Sequence, residues 1–226
     1  GDLWFFLNTH NYFPNQKDYQ GVYIRSGANC WAGYAITYYL RAMQLENPTA
    51  LRQRSARKYL QFAKRIAQPV LARQVVNADD PRNGLVTGGY GTVRIEIKNK
   101  RLVEKYVHGE VDWCSIEHNI DAYFFLRDLA LLTGDKKFSR AAQRIRKGLL
   151  EQFNHKTGQF NRGVSTEGPD EYQALDTASW GALFLLAIGE HALAQRSIEA
   201  TQRYENISQG VFGYRPATGN TPVYES

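Results

Sequence analysis

The sequence lacks several features that would each have defined its class. Only two cysteines, Cys30 and Cys114, occur among 226 residues. That is too few for a disulfide framework, and their spacing is not that of a metal site. Each adjoins a tryptophan (Cys30-Trp31, Trp113-Cys114), so the expectation is two buried free thiols that pack as small hydrophobes. No apolar run approaches the ~20 residues that span a bilayer; the longest, Trp180–Ile188, suits a buried helix. Gly1 is not followed by a basic n-region, so a signal peptide is absent or already removed, and the compartment stays unassigned. No nucleic-acid-binding motif is present. With 43% hydrophobic and 22% charged residues, the composition is that of a globular chain and excludes a disordered one.

Two things are abundant. Aromatic residues make up 13%, and the net charge is +6. The cations gather in two stretches, Arg52, Arg54, Arg57, Lys58, Lys64 and Arg65, then Lys136, Lys137, Arg140, Arg144, Arg146 and Lys147. The ordinary reading is a solvated helix face. The sharper one is a field that favours a polyanion, either acidic polysaccharide or nucleic acid.

The most informative feature is repetition. Three segments, Ala28–Leu40, Asn119–Leu129 and Asp176–Leu186, open on or near an Asn or Asp and continue apolar on almost every face. A helix of that kind is expected to be buried all round. Each is followed by a helix apolar on one side only: Leu51, Tyr59, Leu60, Phe62 and Ile66, then Phe138, Ala141, Ala142, Ile145 and Leu149, then Ala194 and Ile198. Asn47-Pro48, Thr133-Gly134-Asp135 and Gly189-Glu190 separate the members of each pair. The expected hairpins therefore run about 28–67, 115–153 and 176–204. Between the first two, residues 92–107 alternate through Val93, Ile95, Ile97, Leu102, Val103 and Tyr106 around Asn99-Lys100. This predicts an inserted β-hairpin over one end of the helical layer. Leu3–Leu7 reads as a short helix or strand.

The expected class is all-α, with residues 1–226 forming one domain or the N-terminal part of one. Inner and outer helices in alternation make an (α/α) toroid. The usual closed form needs six hairpins, an (α/α)6 barrel, and three are visible here. Three hairpins leave inner helices uncovered on one flank, more apolar surface than monomers usually show. A second half-domain or a partner chain that completes the ring is expected; the alternative is a compact bundle that folds alone.

Two stretches carry a resemblance: Trp113-Cys114-Ser115-Ile116-Glu117-His118-Asn119-Ile120-Asp121-Ala122-Tyr123 with its Thr133-Gly134-Asp135 turn, and Ala174-Leu175-Asp176-Thr177-Ala178-Ser179-Trp180-Gly181. They are similar to the beginnings of inner helices in six-hairpin glycosidase-like proteins. The resemblance covers roughly residues 25–215 and implies a toroid with a carbohydrate-binding mouth at one end. It says less about activity, since such folds serve many chemistries. About half of the family's hairpins are absent, so a carboxylate from the missing half is not assigned.

The polar residues cluster where the inner helices begin: Asn29 and Trp31; Trp113, Glu117, His118, Asn119 and Asp121; Tyr172, Asp176 and Trp180. Parallel inner helices would gather them at one rim, where backbone N–H groups and the positive ends of the helix dipoles also point. Aromatic faces with carboxylates and amides suit sugar rings. Glycoside cleavage needs a proton donor and a second carboxylate. Glu117 is the candidate acid, or else a first-turn Glu complementing the dipole. Asp176 is the candidate base across the rim, or else an N-cap. Asp121, on the Glu117 face one turn on, is a hydrogen-bond partner, a substrate clamp or the second carboxylate of a retaining pair. Trp31, Trp113, His118, Asn119, Tyr172 and Trp180 are candidate sugar contacts; Trp31 and Trp180 have core packing as the alternative, and His118 a structural role. His118 and Asp121 lack a third metal ligand, and no cofactor is expected.

The leading expectation is a glycoside hydrolase, or lyase-like relative, acting on a poly- or oligosaccharide. The first rival is a non-catalytic carbohydrate-binding or exopolysaccharide-assembly scaffold. The second is an isoprenoid-handling toroid, disfavoured because Asp79-Asp80 runs into Pro81 instead of a metal-binding cluster.

Overall fold

The computed structural model of the chain describes residues 24–98 and 101–218; the segment expected at Leu3–Leu7 lies outside them. Six α-helices follow in three pairs: α1 (Ser26–Glu46) with α2 (Arg54–Ala72), α3 (Ile116–Thr133) with α4 (Lys136–Glu151), and α5 (Leu175–Ala187) with α6 (His191–Ala200). The expected hairpins are present at these positions. Their ends obey local chemistry. The Asn47 carboxamide oxygen accepts from the backbone and hydroxyl of Thr49 to turn the first hairpin. Ser115 caps α3 by accepting from the His118 N–H, Gly134 at φ +66° ends it, and Asp135 caps α4 through the Lys137 N–H.

The odd-numbered helices form one layer, in which α3 lies between α1 and α5, and each packs against the even-numbered helix that follows it. The inner helices run parallel and nearly in register. Gly27 faces the His118 ring and Gly33 the Phe125 ring, while Trp180 meets Asp121 and Phe184 meets Tyr123. A Cβ on Gly33 would stand 2.4 Å from Phe125; the glycine is what lets α1 approach so closely. The core between the layers holds Ile120, Phe125, Leu129, Phe138, Ile145, Leu149, Phe160 and Phe184.

All-round burial, expected for every inner helix, is approached only by α3, which leaves Leu131 exposed near its end. α1 leaves Trp31, Tyr38 and Leu45 exposed, and α5 leaves Leu183 and Leu186 exposed. The reason is position: only α3 has an inner neighbour on both flanks.

The all-α expectation is corrected to a mainly helical fold with small sheets. The inserted hairpin is longer than 92–107. Its strands β2 (Gly89–Lys98) and β3 (Arg101–Val111) extend a short β1 (Ile24–Arg25), with Ile24 opposite Tyr90 and Arg25 opposite Gly89. Because β1 leads straight into α1, the hairpin is rooted at the end where the inner helices begin. The return loops also pair. β4 (Cys114–Ser115), β7 (Gly163–Ser165) and β8 (Gly168–Asp170) form one sheet, β5 (Phe153–Asn154) pairs with β6 (Gln159–Phe160), and β9 (Glu205–Ser208) pairs with β10 (Val211–Tyr214). Glycines with positive φ at Gly158 and Gly210 make the tight turns of the last two pairs. Among the described residues, no helix is long and apolar enough to cross a membrane.

Candidate functional site

The rim is built by two short connections. β4 pairs with β7, placing Cys114 opposite Val164, and the Ile116 N–H donates to the Arg162 carbonyl at 3.0 Å. This holds Trp113 over Gly163, where a Cβ would fall 2.2 Å from the indole. Ser115 then starts α3 and puts Glu117 in its first turn. On the neighbouring strand, β8 leads through Tyr172 to Ala174, after which α5 begins with Asp176 in its first turn.

Parallel, in-register helices bring these two first turns together. The Asp176 carboxyl shares a side-chain hydrogen bond with Glu117. It also accepts from the Thr177 N–H at 2.5 Å. Burial raises the Asp176 carboxyl above its ordinary range; the Thr177 N–H, Glu117 and the charge of Arg162 pull the other way. Asp176 thus lies on the neighbouring inner helix within hydrogen-bond reach of Glu117, closer than a base opposed across the rim, and Ala174 rather than Asp176 is the N-cap of α5. The helices that carry them are adjacent, and the carboxyls touch.

One turn deeper, Asp121 is 1% exposed. Its Oδ1 accepts from the Trp180 indole N–H at 2.9 Å, while Oδ2 is buried without a hydrogen-bond partner among the described residues. Burial pushes this carboxyl up to about 7, against the lowering effect of the indole. Trp180 in turn stacks on Trp31, with ring centroids 5.5 Å apart and planes 17° from parallel. Trp31 is 48% exposed. Core packing thus accounts for part of Trp180, which also rests on Phe124, while Trp31 offers a ring face to solvent.

The remaining candidates divide. Trp113 and Tyr172 are linked by Arg162, whose guanidinium lies 5.7 Å and 4.8 Å from their ring centroids and is paired with Asp170 at 2.6 Å. The Tyr172 hydroxyl is buried with no hydrogen-bond partner among the described residues. His118 packs on Gly27, and burial together with Arg25 lowers it to about 4, so its ring is neutral at pH 7. Asn119 is corrected from a sugar contact to a clasp. Fully buried, it donates to the carbonyls of Val86 and Ser115 and accepts from the Val86 N–H at 2.7 Å, so both amide hydrogens are spent inside the protein. Asn29 likewise bonds the carbonyl of Arg25. Both cysteines are free and buried, and burial pushes the Cys114 thiol up to about 12. Asp80 pairs with Arg82.

Arg162 is the rim residue that sequence reasoning missed. It stands in a polar connection remote from either helix start, and no spacing signal marks it. Its place follows only from the pairing of β4 with β7.

One comparison bears on this geometry. The chain is similar in structure to a novel alpha-amylase from Clostridium perfringens. The TM-score is 0.51 and the identity 12%, over 87% of this chain and 48% of that one. The chain therefore spans about half the length of that protein, and at this identity the likeness concerns the fold. No family model and no curated protein matches the sequence.

Proposed function

We propose that the chain is a glycoside hydrolase-like protein that takes a poly- or oligosaccharide at the rim where α1, α3 and α5 begin. The observation that supports this reading is the Glu117–Asp176 hydrogen bond in the first turns of α3 and α5, with the Trp31–Trp180 stack one turn further along the same parallel helices. Two carboxyls joined by one hydrogen bond hold a single proton between them. Burial raises Asp176 while its bond to Glu117 lowers it, so the pair retains a proton at the start of the helices. That is the state a general acid needs before it protonates a leaving glycosidic oxygen. The Trp31 ring supplies a face for sugar C–H groups, and Asp121 keeps Trp180 behind it.

In this reading Asp176 is a positioning residue. A retaining pair needs ~5–5.5 Å between carboxyls and an inverting pair ~6.5–9.5 Å, to leave room for the sugar and, in the second case, water. Contact leaves neither. The second carboxylate would come from further hairpins that complete an (α/α)6 toroid, in a second half-domain or a partner chain. The same contact favours a second reading, a non-catalytic carbohydrate-binding or assembly scaffold that has aromatic and carboxyl groups but no opposed pair.

The test uses a panel of neutral and acidic polysaccharides, with reducing-end release and affinity measured together. Glu117→Gln is expected to abolish release and spare binding. Asp176→Asn removes a like-charged neighbour from Glu117, so the alkaline limb of the pH profile is expected to move to lower pH. Release that survives Glu117→Gln removes Glu117 as the acid. Binding without release in the unsubstituted protein selects the scaffold reading.

A further inference from the structure

The two basic helices are not equivalent. On α4 three of six cations face carboxylates, Lys137 with Asp135 at 3.4 Å, Arg146 with Glu190 at 4.0 Å and Lys147 with Glu151 at 3.9 Å, while Lys136, Arg140 and Arg144 form no ion pair among the described residues. α2 carries five cations, Arg54, Arg57, Lys58, Lys64 and Arg65, and no acidic residue. Among the described residues, Arg54, Arg57, Lys58 and Arg65 form no ion pair, and all four are exposed. They line a groove of about 690 Å³ whose wall includes Tyr59, Gln61 and Phe62. At 1.5 Å rise per residue, Arg54 and Arg65 stand roughly 16 Å apart along the helix. An unneutralised row of that length repels itself and has a standing attraction for a polymer with several negative charges.

We propose that this groove binds an acidic polysaccharide chain, away from the rim where the inner helices begin. Its shape and chemistry argue for that class of polyanion. Single-stranded nucleic acid is held largely by stacking bases on open aromatic faces. Here Tyr59 is half exposed but meets Tyr39 edge-to-face (6.0 Å), and the Arg65 guanidinium lies over Phe62 at 5.8 Å, so single-stranded DNA is the rival that the experiment weighs. An anionic bilayer is met by apolar side chains that project beyond the cations, whereas here Tyr59 and Phe62 lie interleaved with the four cations along a shallow, open groove on α2. What remains is ionic: guanidinium and ammonium groups facing carboxylates on a narrow chain, which guanidinium forks bind with two hydrogen bonds each. The choice of a saccharide polymer rests on the function proposed above; the unpaired charge and the groove do not.

The experiment is isothermal titration of the whole chain with polygalacturonate, with dextran, single-stranded DNA and anionic phospholipid vesicles as comparators. Polygalacturonate is expected to bind, and to weaken as salt shortens the ~10 Å screening length of 0.1 M buffer. The combined variant Arg54→Gln, Arg57→Gln, Lys58→Gln, Arg65→Gln is expected to bind at least tenfold more weakly. A variant with the same charge loss on α4 (Lys136→Gln, Arg140→Gln, Arg144→Gln, Lys147→Gln) should change less than twofold. Hydrogen exchange on the unsubstituted chain should show protection within residues 54–65 on adding the polymer, independently of how any variant folds. Equal losses from the two variants, no protection of 54–65, or tighter binding of DNA or vesicles than of polygalacturonate would each overturn the proposal. Glu117→Gln should leave this binding intact. If it does while release fails throughout, the rim reading is lost and the groove stands.

Discussion

Asp121 offers the sharpest quantitative test. It is a buried carboxyl raised from an ordinary 3.8 to about 7, with one oxygen on the Trp180 indole and the other unpartnered among the described residues. Below pH 3.8 the group is protonated whether the chain is folded or not, and it costs nothing. Between 3.8 and about 7 the unfolded chain carries the charge while the folded one keeps the proton. Stability from this group therefore falls as pH rises, by about 1.4 kcal/mol per pH unit. Above 7 the loss is complete, at about 4 kcal/mol. Asp121→Asn keeps the shape and an oxygen for the indole N–H but never ionises. Urea unfolding of both proteins from pH 4.5 to 8.5 measures the difference, which cancels every other titrating group. The expected result is a variant more stable by about 1 kcal/mol at pH 4.5 and by about 4 kcal/mol at pH 8. A difference that stays constant with pH would refute the argument that burial keeps Asp121 protonated.

Other consequences follow from single contacts. Asn119→Ala leaves the Val86 N–H and carbonyl buried and unbonded, and should cost about 3 kcal/mol in denaturant unfolding at roughly 1 kcal/mol per bond. Gly33→Ala should destabilise by about 1–2 kcal/mol, because overpacking against Phe125 outweighs the ~1 kcal/mol gained in helix propensity; a more stable variant would mean α1 and α3 can part. Trp31→Ala should weaken saccharide affinity at least tenfold while the melting temperature moves by only a few degrees, since the ring is half exposed. The His118 ring should stay neutral down to about pH 5 in nitrogen-detected NMR, as burial and Arg25 oppose its charge. Its stability contribution is present above the ordinary 6.5 and is lost as pH falls through about 4.

Local signals read well along this chain. The three helix pairs, their turns and the inserted hairpin follow from periodicity and from Asn47-Pro48, Gly134-Asp135 and Gly189, because helix ends are settled by contacts within a few residues. The parallel run of the three inner helices was legible too, from the likeness of their sequences. The strands in the return loops were not legible. Two-residue strands such as β4 and β7 leave no alternation to read, and they exist because partners about fifty residues apart meet. That pairing places Arg162. Three further matters belonged to packing alone: that Asp176 touches Glu117, that Asn119 spends its amide on Val86, and that three of the six cations of α4 meet carboxylates while Arg54, Arg57, Lys58 and Arg65 of α2 meet none among the described residues. Each depends on which side chain arrives opposite another after the helices have docked. Periodicity settles the face on which a residue lies, but the identity of its neighbour is set by helix register and by the closeness that glycines such as Gly27 and Gly33 permit.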